Sequence, residues 1–246
     1  MLSRIGFGKH RLQLAAGMAA ALALLTAAPA QAVPTTMPTG LSAGDQYRLA
    51  FVTSEIVISS SQDISFYNNL VNTAANSVSE LAALGTTWRV LGSTASVDAR
   101  TNTSTTPGTD GSGIAIYALN DTRIADNYAD LWDGDLDSLL NTTEDGNTNS
   151  LNVLTGSQSD GTAFVGQTLG TSFIQRGISN STTAFWVTFA SSFDYTNGHL
   201  YAISDVLQVQ GSVPEPATLT LFGLGLLGLR LARRQATAGL PRRLQR

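Results

Sequence analysis

Cysteine is absent from this 246-residue chain, and lysine occurs once, at Lys9. The first absence removes disulfides, thiol catalysis, cysteine-linked lipid anchors and cysteine metal sites, so stability must come from an ordinary hydrophobic core. Histidine is confined to His10 and His199. Basic residues are scarce wherever a folded domain can be placed: residues 33–216 hold five arginines against all 18 acidic residues, a net charge of −13. Binding to a nucleic-acid backbone needs clustered lysine and arginine, so nucleic-acid partners are excluded. An acidic surface stays soluble, repels anionic neighbours and can recruit divalent cations.

The missing positive charge sits at the two ends. Arg4, Lys9 and Arg11 precede an apolar stretch over residues 14–28, and Ala30-Gln31-Ala32 gives a small-x-small pattern before Val33. This order is that of a secretory signal peptide over residues 1–32, with Ala30, Ala32 and Val33 as the cleavage residues. A permanent N-terminal helix fits less well, because the apolar stretch is short and ends in the cleavage pattern.

The other end reads Val213-Pro214-Glu215-Pro216, then thirteen uncharged residues at 217–229, then Arg230, Arg233, Arg234, Arg242, Arg243 and Arg246. Thirteen helical residues span roughly 20 Å, short of a hydrocarbon core about 30 Å thick. Snorkelling of Arg230 extends the segment to residue 232 and makes a thin transmembrane span feasible. Gly223, Gly225 and Gly228 leave a smooth face where another membrane helix can approach. The arginines hold the C-terminus in the cytoplasm. Pro214 and Pro216 keep the motif extended, as a processing enzyme requires.

The Pro-Glu-Pro triplet, the Gly/Leu-rich segment and Arg233-Arg234 together resemble the PEP-CTERM sorting signal of Gram-negative bacteria. That resemblance implies an exosortase as partner, transient membrane retention, removal of the tail, and delivery to the cell surface or an extracellular polymer matrix. It assigns Val213, Pro214, Glu215 and Pro216 as the sorting motif and Arg230, Arg233 and Arg234 as the cytoplasmic stop. An ordinary C-terminal anchor after a proline linker is the plainer alternative.

Between the ends, residues 33–46, with Pro34, Pro38 and Gly40, read as a flexible leader, and residues 47–209 as the exported domain. Residues 47–53 are aromatic and aliphatic enough for a first strand. Apolar residues from Ile64 to Ala82 recur every three or four positions, predicting an amphipathic helix of about six turns, capped by Ser60 and ended by Gly85. Further strands are predicted at residues 87–91, 114–119, 184–190 and 200–207. Residues 101–113 and 141–152, rich in Thr, Ser, Asn and Gly, read as long surface loops. No fixed-period repeat is present, which argues against a solenoid. The expectation is a single α+β domain with one long early helix and a mostly antiparallel sheet, flanked by the signal helix and the C-terminal membrane helix.

Short motifs spread over residues 47–207 add a second resemblance: Gly85-Thr86-Thr87-Trp88-Arg89, Ala129-Asp130-Leu131-Trp132-Asp133-Gly134, and Thr155-Gly156-Ser157-Gln158-Ser159-Asp160-Gly161-Thr162. They are similar to exported bacterial domains with a C-type-lectin-like or endostatin-like fold. That fold implies pairing of the first and last strands. The chain lacks the structural cysteines, the Glu-Pro-Asn or Gln-Pro-Asp triplet and the Trp-Asn-Asp motif, so calcium-borne carbohydrate ligation does not carry over.

The richest chemical cluster is the acidic run containing Asp126, Asp130, Asp133, Asp135 and Asp137. Carboxylates of this density are candidate calcium ligands. The glycine position and the missing terminal glutamate fail the EF-hand template. The simpler reading is a loop anchored by Leu131, Trp132 and Leu136 whose carboxylates cap turns or face water, with no cofactor. Trp88, Trp132 and Trp186 are candidate sugar platforms, but their apolar neighbours favour core packing. His199 would be the single base of any exported Ser-His-Asp triad, and a turn histidine is the preferred reading. The alternation of Thr101, Thr103 and Thr105 is too short for an ice-matching face.

The resulting expectation is a non-enzymatic, exported surface or matrix protein associated with extracellular polysaccharide. A carbohydrate-binding module is the leading alternative, followed by a polysaccharide hydrolase and an ice-binding protein.

Overall fold

The computed structural model describes residues 32–110, 113–192 and 197–211. In chain order the elements are β1 (Gln46–Val52), β2 (Val57–Ile58), α1 (Ile64–Asn76), α2 (Ser79–Ala82), β3 (Trp88–Val90), α3 (Ala99–Asn102), β4 (Ala115–Ala118), β5 (Arg123–Ala125) and α4 (Tyr128–Leu131). They continue with β6 (Asn152–Leu154), β7 (Ile174–Ile178), a 3-10 turn (Ala184–Trp186), β8 (Ala190–Ser192), β9 (Asn197–Gly198), β10 (Tyr201–Ser204) and β11 (Leu207–Gln208). Few helices and several sheets make this a mixed α+β fold that is mostly sheet.

The main sheet runs β3-β10-β1-β4-β5, with β11 also paired to β1. Strand β1 is the hub because nearly all its residues are buried. Tyr47, Leu49 and Phe51 enter one apolar cluster with Tyr67, Val71 and Ala75 of α1, while Ala50 and Val52 enter a second with Tyr128, Trp132, Trp186 and Tyr201. The alternation of a strand thus feeds two cores, one on each face of the sheet. Ala50 pairs with Ile203 and Val52 with Tyr201, so the first and last long strands are neighbours, antiparallel. Among the named strands, β1 with β4 is the parallel pairing; the other pairings are antiparallel.

Helix α1 is shorter than its periodicity predicts. Val78 is extended, with φ −106° and ψ 122°, and separates α1 from the single turn of α2. Before the break, the Ser77 hydroxyl donates to the Ala74 carbonyl at 2.7 Å, satisfying an end-of-helix acceptor with a side chain rather than the next turn. The cap is Asp63 rather than Ser60: its carboxylate accepts from the Ser65 amide at 2.9 Å and the Ser65 hydroxyl at 2.8 Å. Gly85, at φ +59°, follows α2 where the sequence placed the stop.

One face of α1 also protects a sheet edge. Asn72 accepts from the Trp88 amide at 2.9 Å and donates to its carbonyl at 2.6 Å, and Asn68 accepts from the Val90 amide at 2.9 Å. Two asparagines one turn apart thereby stand in for a missing neighbour strand on β3.

Residues 184–190 were expected as a strand and are not one. Hydrogen bonds from Trp186 to Thr183 and from Val187 and Thr188 to Ala184 wind them into a turn, and only Ala190 joins β8. The turn lets Trp186 bury fully against Trp132 and Tyr201, each with ring centroids 5.7 Å away.

The threonines of residues 101–105 also differ from a surface loop. Thr103 and Thr105 are fully buried, their hydroxyls 2.7 Å apart, so this alternation presents no ice-matching face. Before β1, residues 34–39 lie against the domain. The Thr35 amide reaches the Leu119 carbonyl at 2.7 Å, Tyr47 donates to the Thr36 carbonyl at 2.9 Å, and Thr39 places two 2.7 Å bonds on Asp121. Among the described residues no helix is long and apolar enough to cross a membrane; the segments expected as signal and tail helices fall outside them.

Candidate functional site

The acidic run folds around β5 and α4. Asn127 caps α4 by accepting from the Ala129 and Asp130 amides at 2.9 and 3.1 Å, and Tyr128, Leu131 and Trp132 turn inward. Asp126, Asp130 and Asp137 are brought together, each offering an oxygen within 4.8 Å of the others. Asp133 and Asp135 stand apart from that group, and the Asp133 carboxylate accepts from the Asp135 amide at 3.0 Å.

A cation of the protein already serves the cluster. Arg123 bridges Asp126 at 2.6 Å and Asp137 at 3.2 Å, while Asp130 accepts from the Asp126 amide at 2.6 Å. Calcium takes six to eight oxygens, and three surface carboxylates already engaged by a guanidinium and an amide are a poor start toward that number. Adding calcium in place of a chelator is expected to leave the melting temperature unchanged. A rise that Asp126→Asn and Asp130→Asn both abolish would overturn that expectation.

Other candidates resolve in the same way. Trp88 packs edge-on to Phe51 at 5.0 Å, the Trp132 indole donates to the Thr105 hydroxyl at 2.9 Å, and all three tryptophans lie in the core. They are not sugar platforms in this fold. The Nδ1 of His199 lies 2.7 Å from the Thr53 carbonyl, where a catalytic triad would need a carboxylate. Because a carbonyl can only accept, this contact assigns the proton to Nδ1.

Two of the clefts among the described residues bear on the site and were not foreseen from the sequence. The larger, about 630 Å³, lies between β2 and α1, lined by Ile56, Ile58, Phe66 and Leu70, with Glu144 at one end. Glu144 is buried and accepts from the Ser54 amide at 2.8 Å and the Ser54 hydroxyl at 2.6 Å. The smaller, about 240 Å³, contains Arg176 and His199. Arg176 carried a signal as one of only five basic residues in the domain. Nothing local marked its neighbourhood to His199.

Hydrogen bonding tunes several carboxylates. The Ser65 donors hold Asp63 below the usual carboxylate range. For Asp145 and Asp160 burial pushes upward, but bonds from Thr143 and Asn147 to the first, and from Thr162 to the second, together prevail and lower both. A depressed folded-state pKa contributes stability above the unfolded value, about 3.9, that is lost as pH falls through the folded one. Relief of repulsion among 18 acidic groups opposes this loss. The discriminating experiment is therefore Thr162→Val: it removes the 2.6 Å hydroxyl donor to Asp160 and should flatten the loss of melting temperature below about pH 4 relative to the parent.

Of the processing residues, Ala32 and Val33 are exposed and Ala30 lies outside the described residues. Val213, Pro214, Glu215, Pro216, Arg230, Arg233 and Arg234 also lie outside them; the described chain ends at Gly211, just after β11 has paired with β1. No curated protein sequence matches the chain. A protein-family model does match, over residues 212–235, and it is that of the PEP-CTERM protein-sorting motif. The Pro-Glu-Pro triplet, the apolar segment and the arginines at 233 and 234 all fall inside that match, and the chain therefore carries a PEP-CTERM protein-sorting motif.

Proposed function

We propose that this chain is an exosortase substrate whose acidic α+β domain is exported and released from its tail to serve, without catalysis, at the cell surface or in an extracellular polysaccharide matrix. The observation that carries the reading is the sorting motif at residues 212–235. The charge layout supports it. Nine of the 14 basic residues lie in the signal and tail, and removing both leaves a lysine-free cargo of net charge −13. Such a cargo stays dispersed and does not adhere to anionic membranes. The apolar segment supplies only transient membrane retention, since its length is marginal for a lasting span.

Mass spectrometry of both termini of the protein recovered from its native host tests the reading. A mature chain starting at Val33 and lacking everything after about Pro216 is the expected result, the length of the motif setting that cut. Recovery of the intact arginine tail would overturn it.

A further inference from the structure

Nine large apolar side chains are exposed among the described residues, and three of them, Ile56, Ile58 and Phe66, gather at the cleft of about 630 Å³ between β2 and α1. Two periodicities build its walls. Ile56, just before β2, and Ile58 within it are two residues apart and so share one side of an extended segment, while Phe66, Leu70 and Ala74 are four apart and form one stripe of α1.

A carboxylate completes this apolar cleft. The Val52 amide donates to the Thr142 carbonyl at 2.9 Å and Val52 bridges Thr143, so the residues before Glu144 are fastened beside the end of β1. Glu144 is only 4% exposed and receives two bonds from Ser54. No ion pair of the described residues includes it, and no arginine or histidine lines the cleft. Buried charges are ordinarily paired, and a carboxylate has about four acceptor positions, of which the Ser54 donors fill only part. The exposed Glu55 on the rim adds a second carboxylate rather than a cation.

We propose that this cleft binds a small organic ammonium ion with an apolar body, its charge on Glu144 and its hydrocarbon against Ile56, Ile58 and Phe66. The volume lies within the roughly 300–1,000 Å³ of small-molecule sites. The lining hydroxyls of Thr53, Ser54, Thr73 and Ser77 already bond within the protein. A sugar or a peptide backbone, which needs many polar partners, therefore finds few here, whereas an alkyl cation needs only the carboxylate and the apolar walls. A second copy of the domain would bring its own charge of −13 and be repelled. The inference goes beyond the sorting account and does not depend on it. The termini report on sorting and the cleft variants on binding, so each can fail separately.

The test is a titration of the exported protein, followed by amide chemical shifts, with hexylammonium, propylammonium, hexanol and hexanoate. Hexylammonium should bind saturably and move the amides of Ser54, Ile58 and Leu70. Propylammonium, three methylenes shorter, and hexanol, which lacks the charge, should each bind about tenfold more weakly or worse, and hexanoate should not bind. Glu144→Gln keeps an acceptor for Ser54 while removing the charge, and should weaken hexylammonium by about tenfold or more. Ile58→Ser changes an exposed side chain, so it should fold and bind severalfold more weakly. Glu55→Gln removes an exposed charge and should stay within about twofold of the parent. No saturable binding of hexylammonium, equal binding of any of the other three compounds, parental affinity in Glu144→Gln or in Ile58→Ser, or as large a loss in Glu55→Gln as in Glu144→Gln would each overturn the proposal.

Discussion

Gly177→Ala is expected to destabilise the exported domain by at least about 3 kcal/mol, because the added Cβ has no space that a side-chain rotation could open. Gly177 sits in β7 opposite Val153, and the 3-10 turn crosses directly over it. The Cβ would fall inside the contact radius of the Trp186 carbonyl oxygen and 2.9 Å from the Val187 Cα, both backbone. Relief requires moving the turn, and moving the turn dislodges Trp186 from Trp132 and Tyr201. Against the 5–15 kcal/mol of a typical domain this is a large fraction, lowering the melting temperature by roughly 6–12 °C. Gly211→Ala is the matched control: its Cβ would meet only the Ala43 Cβ at 3.8 Å, and it should melt with the parent. A melting temperature within a degree or two of the control would mean that the turn does not press on β7.

What could be read from the sequence follows from how far each signal extends along the chain. Strand β1 was legible because Tyr47 to Val52 form an unbroken run buried on both faces, and its pairing with β10 was anticipated through a fold resemblance. The sorting motif was legible because its parts are contiguous. Helix α1 was legible in period but not in length: Val78 continues the apolar spacing, yet its extended backbone ends the helix. Residues 184–190 carry a strand-like alternation, with Trp186 buried and Phe185 exposed, that a turn satisfies equally well. Strands of two or three residues, such as β2, β5 and β9, are too short to show any period. The Arg176 and His199 cavity was hidden for a different reason. Its two basic residues share no local pattern and meet only because β6 accepts a partner on each side.

Arg48→Met is expected to cost roughly 3 kcal/mol or more, since buried acceptors that lose their donors carry a desolvation penalty of about 1–3 kcal/mol each. The Arg48 side chain is 1% exposed and has no carboxylate partner among the described residues. Its Nε donates to the Ser204 carbonyl at 2.6 Å and one Nη to the Thr103 carbonyl at 2.9 Å, with the guanidinium 5.6 Å from the centre of the Tyr128 ring. Burial holds the guanidinium below its ordinary value, Tyr128 offsets part of that, and arginine stays charged regardless. The side chain thus fastens three separate parts of the fold to β1: the end of β10, the turn after α3 and the start of α4. Methionine fills similar volume but leaves both carbonyls without their donors. Arg48→Lys keeps the charge on a single point without the fork, so it should recover less than half of the loss. Urea denaturation of the two variants checks this: the midpoint should fall in the order parent, lysine, methionine. Equal midpoints for parent and methionine would show that the carbonyls find other donors and that the buried charge is dispensable.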